Sequence, residues 1–373
     1  MKSELMMQSA IKTIKKSLGQ MSVEWLAKKM NVREDFLWLL SRDTAVMYKP
    51  TRPQKKSGGS GYREIDAPKK KYKPLLRNMA KILSAFIPPH PAAHGGVIGR
   101  SSFTSARRHC GAKFITTRDI KDCYPSLTQD KLFRALLSLG ASLSFAKFLS
   151  AIMTVHGRVP QGGHLSSLAV NLYFARMDEH FTINSIQKHG VFTRLADDFV
   201  VSAPNRQIAI KFGNEIDQDI FNRGLKINEK KREKRGLLAG DSIKEIHSLV
   251  VNSRRGVRPK SDHLKKALGL ATYYTRFARS ARPEDVPYLA DLRGRVAGMM
   301  YYFRQAEFSP ANHILRMLYS ADLNVLRMLT SKGLYPYKNK WWIVNKTRNE
   351  PERLLRQWNL KKCLCFLDGK KSA

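Results

Sequence analysis

Three aspartates stand where a sequence could assemble a metal-dependent active site. Asp197 and Asp198 are adjacent, and such a pair is ordinarily a solvated turn, because aspartate favours turns. Here the flanks argue for more: five of the eight residues Phe192–Leu195 and Phe199–Ser202 are strongly apolar. Both arms therefore read as half-buried strands, with the acids at the tip of a hairpin. A third acid, Asp119, ends another strand pattern, Phe114-Ile115-Thr116-Thr117-Arg118-Asp119. Strands that deliver carboxylates to one edge of a sheet make a hard-oxygen site suited to magnesium. A pair of such ions lowers the pKa of an attacking hydroxyl and neutralises departing pyrophosphate, which is what phosphoryl transfer from a nucleoside triphosphate requires. Asp119 and Asp197 are expected to bridge two Mg2+ ions, with Mn2+ as a substitute. Asp198, on the other side of its strand by the two-residue period, is expected to contribute from the margin.

These strands need a scaffold, and the apolar spacing supplies one. Val23, Leu26 and Met30 mark a helix that opens at Ser22, and Phe36, Leu37 and Leu40 mark a second; the pair reads as an N-terminal helical layer, with a helix-turn-helix as the alternative. Strand candidates near Val46–Tyr48 and Tyr62–Ile65 flank the basic, glycine-rich loop Lys55–Gly61, the pattern of a hairpin. A basic helix is expected from Lys73 to Phe86, stopped by Pro88-Pro89, and a loop rich in glycine and proline runs on to Gly99. Further helices are predicted over Gln129–Leu139 and Leu165–Phe181, the second of them long and buried. After Asn252 helical patterns dominate, over 261–278, 284–305 and 311–329, and suggest a separate α-helical lobe. The fold class is α+β.

Charge narrows the partner. The 373 residues carry 67 Lys+Arg against 30 Asp+Glu, a formal net charge of +37 distributed along the chain. A polyanion is the natural counterweight, and nucleic acid is the expected one. A membrane surface would call for a strongly amphipathic basic helix or a lipidation signal, and neither stands out. The sequence has no apolar run of about 18 residues, and Glu4 interrupts the place where a secretory core would lie, so the expected location is cytoplasmic. Four cysteines, Cys110, Cys123, Cys363 and Cys365, are too few and too poorly spaced for a disulfide framework or a zinc site.

Read in order, blocks between Arg63 and Asn252 resemble those of the reverse transcriptases, most closely the bacterial retron type. Asp119-Ile120-Lys121-Asp122-Cys123-Tyr124-Pro125-Ser126-Leu127-Thr128 is similar to the first catalytic block. Val159-Pro160-Gln161-Gly162-Gly163 with Asn171-Leu172-Tyr173-Phe174 resembles the template-and-nucleotide block. Residues 193–202 resemble the acid hairpin, Gly224–Asn228 with Lys230-Lys231 the block after it, and Leu249–Asn252 the strand that grips the primer. The resemblance implies a right-hand polymerase: an N-terminal helical segment at 1–50, fingers and palm at 51–252, an α-helical thumb at 253–345 and a basic tail at 346–373. It implies RNA-directed DNA polymerase activity, with Asp119, Asp197 and Asp198 as metal ligands. It also implies that Tyr124 lies beneath the sugar and excludes a 2′-hydroxyl, and that Lys231 protonates leaving pyrophosphate. Arg63 is the candidate clamp for the triphosphate, since guanidinium binds phosphate oxygens as a fork. Gln161, with Gly162 leaving room for the template base, is the candidate contact to the nascent pair, and Ile120 joins the nucleotide site. Lys265, Arg276 and Arg279, within about 60° of one another on a helix, form a basic ridge suited to a duplex backbone.

Two retron marks can be compared. Ser105-Ala106-Arg107-Arg108-His109 resembles the retron Asn-Ala-x-x-His with serine in first place, and Arg107, Arg108 and His109 are candidate nucleic-acid contacts. Ile246-His247-Ser248 stands where retron enzymes have Val-Thr-Gly, a triplet that helps read the RNA, and does not match it. Leu195 replaces the usual tyrosine of the acid hairpin. The retron type implies synthesis of DNA on a structured noncoding RNA, primed from a 2′-hydroxyl within it, and service in antiphage defence with an effector encoded nearby. The alternatives are another bacterial defence reverse transcriptase, of the abortive-infection type or with its own noncoding RNA, and a catalytically idle RNA-binding scaffold.

Overall fold

Residues 2–343, other than 51, 56–61, 241, 332–333 and 338–339, are described by the structure, a computed structural model of the chain. The basic tail expected at 346–373 and most of the loop Lys55–Gly61 lie outside the described residues. Contacts divide the chain into two units, Met1–His247 with Val251–Arg255, and Ser248–Val250 with Gly256–Ala373.

The first unit begins with helices α1 (Lys2–Gly19), α2 (Val23–Met30) and α3 (Glu34–Arg42). Ser22 caps α2 by accepting from the Trp25 N–H at 3.0 Å, and Asn31 ends it in the left-handed region, where asparagine is tolerated. Leu26, Leu37 and Leu40 are buried in the same core as the rest of the unit, so these helices form a packed layer. The apolar spacing Ile11, Ile14, Leu18 in α1 signals a helix that the sequence reading passed over; those side chains are buried.

The two-stranded hairpin pairs β1 (Arg52–Lys55) with β2 (Tyr62–Ile65), Arg52 opposite Ile65. The strand expected near Val46–Tyr48 is instead a 3-10 turn over Thr44–Met47. Met47 and Tyr48 are buried, and so short an apolar run looks the same in a strand and in a buried turn.

Then follow α4 (Lys73–Phe86), α5 (Ser102–Arg107), β3 (Phe114–Asp119), α6 (Cys123–Ser126), α7 (Gln129–Ser138), α8 (Leu143–Ile152) and α9 (Ser166–Gln187). The hairpin β4 (Val191–Leu195) and β5 (Asp198–Ala203) leads into α10 (Arg206–Asn222), α11 (Glu229–Arg235), β6 (Leu237–Leu238) and β7 (Glu245–Ile246). Strands β4-β5-β3-β6, in that order, form an antiparallel sheet. Helix α9 packs on β4, and α10 on β3 and β5. Phe199, Val200 and Val201 are consequently all fully buried, and β5 reads as an apolar run instead of an alternation.

Helix α9 is buried over much of its length, and it carries Asp178 at full burial. Its partner is Arg194 of β4, equally buried: Nε donates to Oδ1 at 2.7 Å and Nη2 to Oδ2 at 2.6 Å, a two-pronged pair. Nη2 also donates to Asn171 Oδ1 at 3.1 Å, and the guanidinium lies over the Phe174 ring at 5.2 Å. A charge taken so far from water is tolerable only because every prong is met.

In the second unit β8 (Leu249–Val250) pairs with β9 (Arg258–Pro259), and α12 (Ser261–Ser280), α13 (Val286–Gln305) and α14 (Pro310–Ser331) pack on one another, followed by the hairpin β10 (Leu334–Tyr337) and β11 (Lys340–Ile343). Ala267, Ala271 and Ala278 line the buried side of α12, where small residues allow close approach. Buried Asp322 accepts from Tyr274 Oη at 2.6 Å and from the Arg293 guanidinium. Among the described residues no helix is long and apolar enough to cross a membrane.

The Arg194–Asp178 pair yields a stability prediction. Arg194→Met leaves a buried carboxylate without its partner and is expected to cost about 3–5 kcal/mol in denaturant unfolding, whereas adding Asp178→Leu is expected to return most of that loss. A single variant within 1 kcal/mol of the parent, an order-of-magnitude margin, would show that the pair is not holding the two elements together.

Candidate active site

The register of the sheet brings the acids together. Asp119 at the end of β3 pairs directly with Asp198 at the start of β5, so these two carboxylates share a face of the sheet. The acid expected at the margin is thus the one facing Asp119 across the ladder. Asp197 occupies the turn between β4 and β5, beside Ala196 at φ 56°, a left-handed conformation that costs an alanine about 1–2 kcal/mol.

That turn is held from several sides. Arg194 Nη1 donates to the Ala196 carbonyl at 2.8 Å, and the Ile120 N–H donates to the Asp197 carbonyl at 3.1 Å. A loop lies alongside: Arg194 N–H donates to Ala92 O at 2.8 Å, and His94 N–H to Arg194 O at 2.7 Å. Asn171 Nδ2 donates to Gly95 O at 2.9 Å. A Cβ on Gly95 would come within 2.4 Å of the Ala196 nitrogen, so only glycine permits this approach.

Each of the two paired acids has a basic or imidazole partner. Asp119, nearly enclosed, meets Lys231 Nζ at 2.5 Å through Oδ2 and accepts from Asn228 Nδ2 at 3.0 Å through Oδ1. Asn228 also caps α11 and donates its own N–H to the Asp119 carbonyl at 2.8 Å. His247 Nδ1 lies 3.2 Å from Asp198 Oδ2. Burial raises the Asp119 carboxyl above its usual range, and Asp198 adds to the rise while Lys231 and Asn228 oppose it. Asp197 is pushed up to about 6, first by burial and then by the neighbouring Asp119. A cavity of about 50 Å³ is lined by Asp119, Asp198, Lys231 and His247 among others, space on the scale of ions or a few waters.

Do these residues suit a divalent cation? Among the described residues no group of three Asp, Glu, His or Cys side chains is arranged to hold one as it stands. The chemistry of the donors nonetheless fits. They are hard carboxylate oxygens, and burial and neighbouring acids raise the Asp119 and Asp197 carboxyls, a strain that an added cation relieves. The Lys231 ammonium already stands as a cation on Asp119, so an ion taking that oxygen requires Lys231 to swing away. With 57% of its side chain exposed, Lys231 can do so.

The other candidates fall into three groups. Tyr124, on α6, is half-buried, hydrogen-bonds Ser167 and lies close enough to Asp197 to feel its charge. Arg63 lies opposite Gln54 in the hairpin, and its side chain is outside the described part of the structure. Gln161 is half-buried, its carbonyl accepting from Asp66 N–H at 2.9 Å. A Cβ on Gly162 would meet Ile65 Cγ2 at 3.2 Å and Asp66 O at 3.3 Å, so the glycine lets its loop pack close to the end of β2.

Two expectations need correction. His109 is 1% exposed and cannot face nucleic acid; its ring sits 3.0 Å from Ser202 Oγ and 2.8 Å from Thr193 Oγ1, inside the sheet's packing. Ile120 is likewise 1% exposed, its side chain in the core and away from a nucleotide, and its N–H is committed to the Asp197 carbonyl. Arg107 is half-buried and Arg108 exposed. Lys265, Arg276 and Arg279 are exposed on α12, away from its alanine-lined side.

The sequence reading missed Arg194, Asp178, Asn228 and His247. The signal for the first two was an acid on the buried side of a long helix and a lone guanidinium in an apolar strand, each of which needs a partner. For Asn228 it was a side chain able to cap the Glu-Lys-Lys-Arg run that follows.

Asp197 carries a pH dependence of stability. Its folded pKa lies above its unfolded one, so the folded state holds the proton more tightly. Stability from this group is present below about pH 4 and is lost as pH rises through about 6. Asp197→Asn is expected to raise the melting temperature of metal-free protein at pH 8, by the equivalent of roughly 1–3 kcal/mol, and to flatten its decline between pH 4 and 6. A variant with unchanged stability and slope would mean that the carboxylate is not strained in its turn.

Comparison with known proteins agrees with this geometry. The pattern of the family described as reverse transcriptase (RNA-dependent DNA polymerase) matches residues 53–245. The Retron Mx65 reverse transcriptase of Myxococcus xanthus is 27% identical over 288 residues, 70% of this chain and 62% of that protein. The Retron Ec86 reverse transcriptase of Escherichia coli is 29% identical over 210 residues, 55% of this chain and 64% of that one. The chain thus spans less than two thirds of the length of either relative. Among solved structures, telomerase from Candida albicans in complex with the TWJ fragment of telomeric RNA aligns over 91% of this chain and 68% of that one, at 13% identity and a TM-score of 0.41, a distant likeness. With a family match over more than half of its length and an antiparallel sheet carrying the acids, the chain belongs to the reverse transcriptase family, whose α+β fold is the right-hand polymerase class.

Proposed function

We propose that the chain is an RNA-directed DNA polymerase of the retron type. It copies a structured noncoding RNA, primed from a 2′-hydroxyl within that RNA, and serves antiphage defence beside an effector encoded nearby. The observation that carries the polymerase reading is the register that sets Asp119 against Asp198 with Asp197 in the adjoining turn. Likeness to several retron reverse transcriptases supports the retron type. Template choice, priming and defence rest on that likeness alone.

In this reading Asp119, Asp197 and Asp198 hold two Mg2+ ions, or Mn2+ in their place. When bound, the ions would supply charge neutralisation at the reacting phosphate and a lowered pKa for the attacking 3′-hydroxyl. The remaining work falls to the chain. Asn228 and the Ile120 N–H keep Asp119 and the acid turn in place. Tyr124 walls off the space a 2′-hydroxyl would need, while Arg63 clamps the triphosphate and Gln161 contacts the nascent pair. Lys231, freed from Asp119, is the proton donor to leaving pyrophosphate. Arg107 and Arg108, with Lys265, Arg276 and Arg279, engage phosphates of the nucleic acid. The proposed units are the fingers and palm at 51–252 behind the helical segment 1–50, and the thumb from 253.

The test is DNA synthesis by purified protein with its co-purifying RNA, deoxynucleotides and Mg2+. The double change Asp197→Ala, Asp198→Ala is expected to lower the rate by roughly 10³-fold or more, equivalent to several kcal/mol of lost charge stabilisation. The wild-type product should be a branched RNA–DNA hybrid. Equal cellular protection against phage by the double variant would instead identify a scaffold.

A further inference from the structure

One side chain beside the acids has no part in the mechanism above. The His247 side chain is 3% exposed, and the residue is the first of two consecutive non-glycine residues at positive φ, His247 at 50° and Ser248 at 66°. Strained backbone of this kind persists where surroundings over-determine it, and it clusters at functional sites. The ring's two nitrogens are both engaged: Nδ1 with Asp198 Oδ2 at 3.2 Å, and Nε2 with Ser105 Oγ at 3.0 Å.

Ser105 is itself fully buried and extends the contact inward. Its hydroxyl lies 2.8 Å from Thr193 Oγ1, which lies 2.8 Å from His109 Nε2, whose Nδ1 lies 3.0 Å from Ser202 Oγ. An ionised carboxylate only accepts hydrogen bonds, so the proton between His247 and Asp198 belongs to Nδ1. With a neutral ring, Nε2 then accepts from Ser105, Ser105 from Thr193, and Thr193 from His109 Nε2–H, while His109 Nδ1 accepts from Ser202. Between Ser202 and Asp198 each member donates one hydrogen bond along the chain and accepts one, and all the donors point toward the carboxylate. Groups polarised in sequence strengthen one another in a low-dielectric interior.

Ser105 and His247 are also two of the places where this chain departs from the retron pattern, serine for asparagine and histidine for threonine. The two departures meet each other in space. We propose that His247 is a positioning residue for Asp198, oriented in turn by Ser105 and the buried chain from Ser202, and that it sets the affinity of the acid cluster for divalent cations. The inference rests on the reading of the three acids as metal ligands. It gives the otherwise unexplained burial of His109 a purpose, since that ring supports the site from inside instead of touching nucleic acid.

The experiment is Mn2+ binding to full-length protein, followed by the electron paramagnetic resonance of the free ion, with no nucleotide present. His247→Ala is expected to weaken binding by about 10–100-fold, the usual effect of removing a group that orients a metal ligand. His247→Asn, whose amide can still donate to Asp198, is expected to recover most of that loss. Ser105→Ala, which touches no acid, is expected to weaken binding less than His247→Ala but measurably. Nitrogen-15 spectra should show the His247 proton on Nδ1, and should show it redistributed in Ser105→Ala. Mn2+ affinity unchanged in folded His247→Ala and Ser105→Ala would overturn the proposal, as would a proton on Nε2 alone. If wild-type protein and Asp198→Ala bind Mn2+ equally weakly, the metal reading itself fails, and this inference with it.

Discussion

Two opposite charges meet at full burial, the Arg194 guanidinium on a strand and the Asp178 carboxylate on the long helix beneath it. Neither could be there alone, because an unpaired ion in such a place costs several kcal/mol. The pair therefore fixes strand β4 against helix α9. Arg194 has donors to spare, and one goes to the carbonyl of Ala196, the residue before the acidic pair. The turn's position thus follows from the demand that a buried charge be satisfied. Around it the Ala92–Gly95 loop and the Ile120 N–H take up the remaining backbone groups.

Once the turn is fixed, ladder register does the rest. Asp198 faces Asp119, and the resulting concentration of negative charge is offset inside the protein, by Lys231 on one acid and His247 on the other. The two partners differ in what they can do. Lys231 is largely exposed on a short helix and free to leave, whereas His247 is enclosed and wired to further buried groups. A cation entering the site would displace the first and work beside the second.

Much of this was legible in the residues. Strands β3, β4 and β5 and helices α4, α9, α12, α13 and α14 follow from apolar spacing and proline stops, and the acids announced themselves by sitting between apolar runs. What spacing could not show was long-range pairing: that Arg194 in an apolar strand answers Asp178 sixteen residues earlier, or that His109 turns inward to Thr193 and Ser202. The likeness of Ser105–His109 to the retron Asn-Ala-x-x-His marks His109 as a contact but does not show which way its ring points. The Val46–Tyr48 segment failed for a local reason, since three apolar residues in a row suit a buried turn as well as a strand.

The account stands on the three carboxylates acting as one cation site. Anomalous diffraction at the manganese edge from crystals soaked in Mn2+ tests this directly. The account predicts density bound by Asp119 together with the 197–198 turn, with the Lys231 ammonium displaced from Asp119. Crystals that take up Mn2+ elsewhere, while the Lys231–Asp119 contact stays intact, would contradict it.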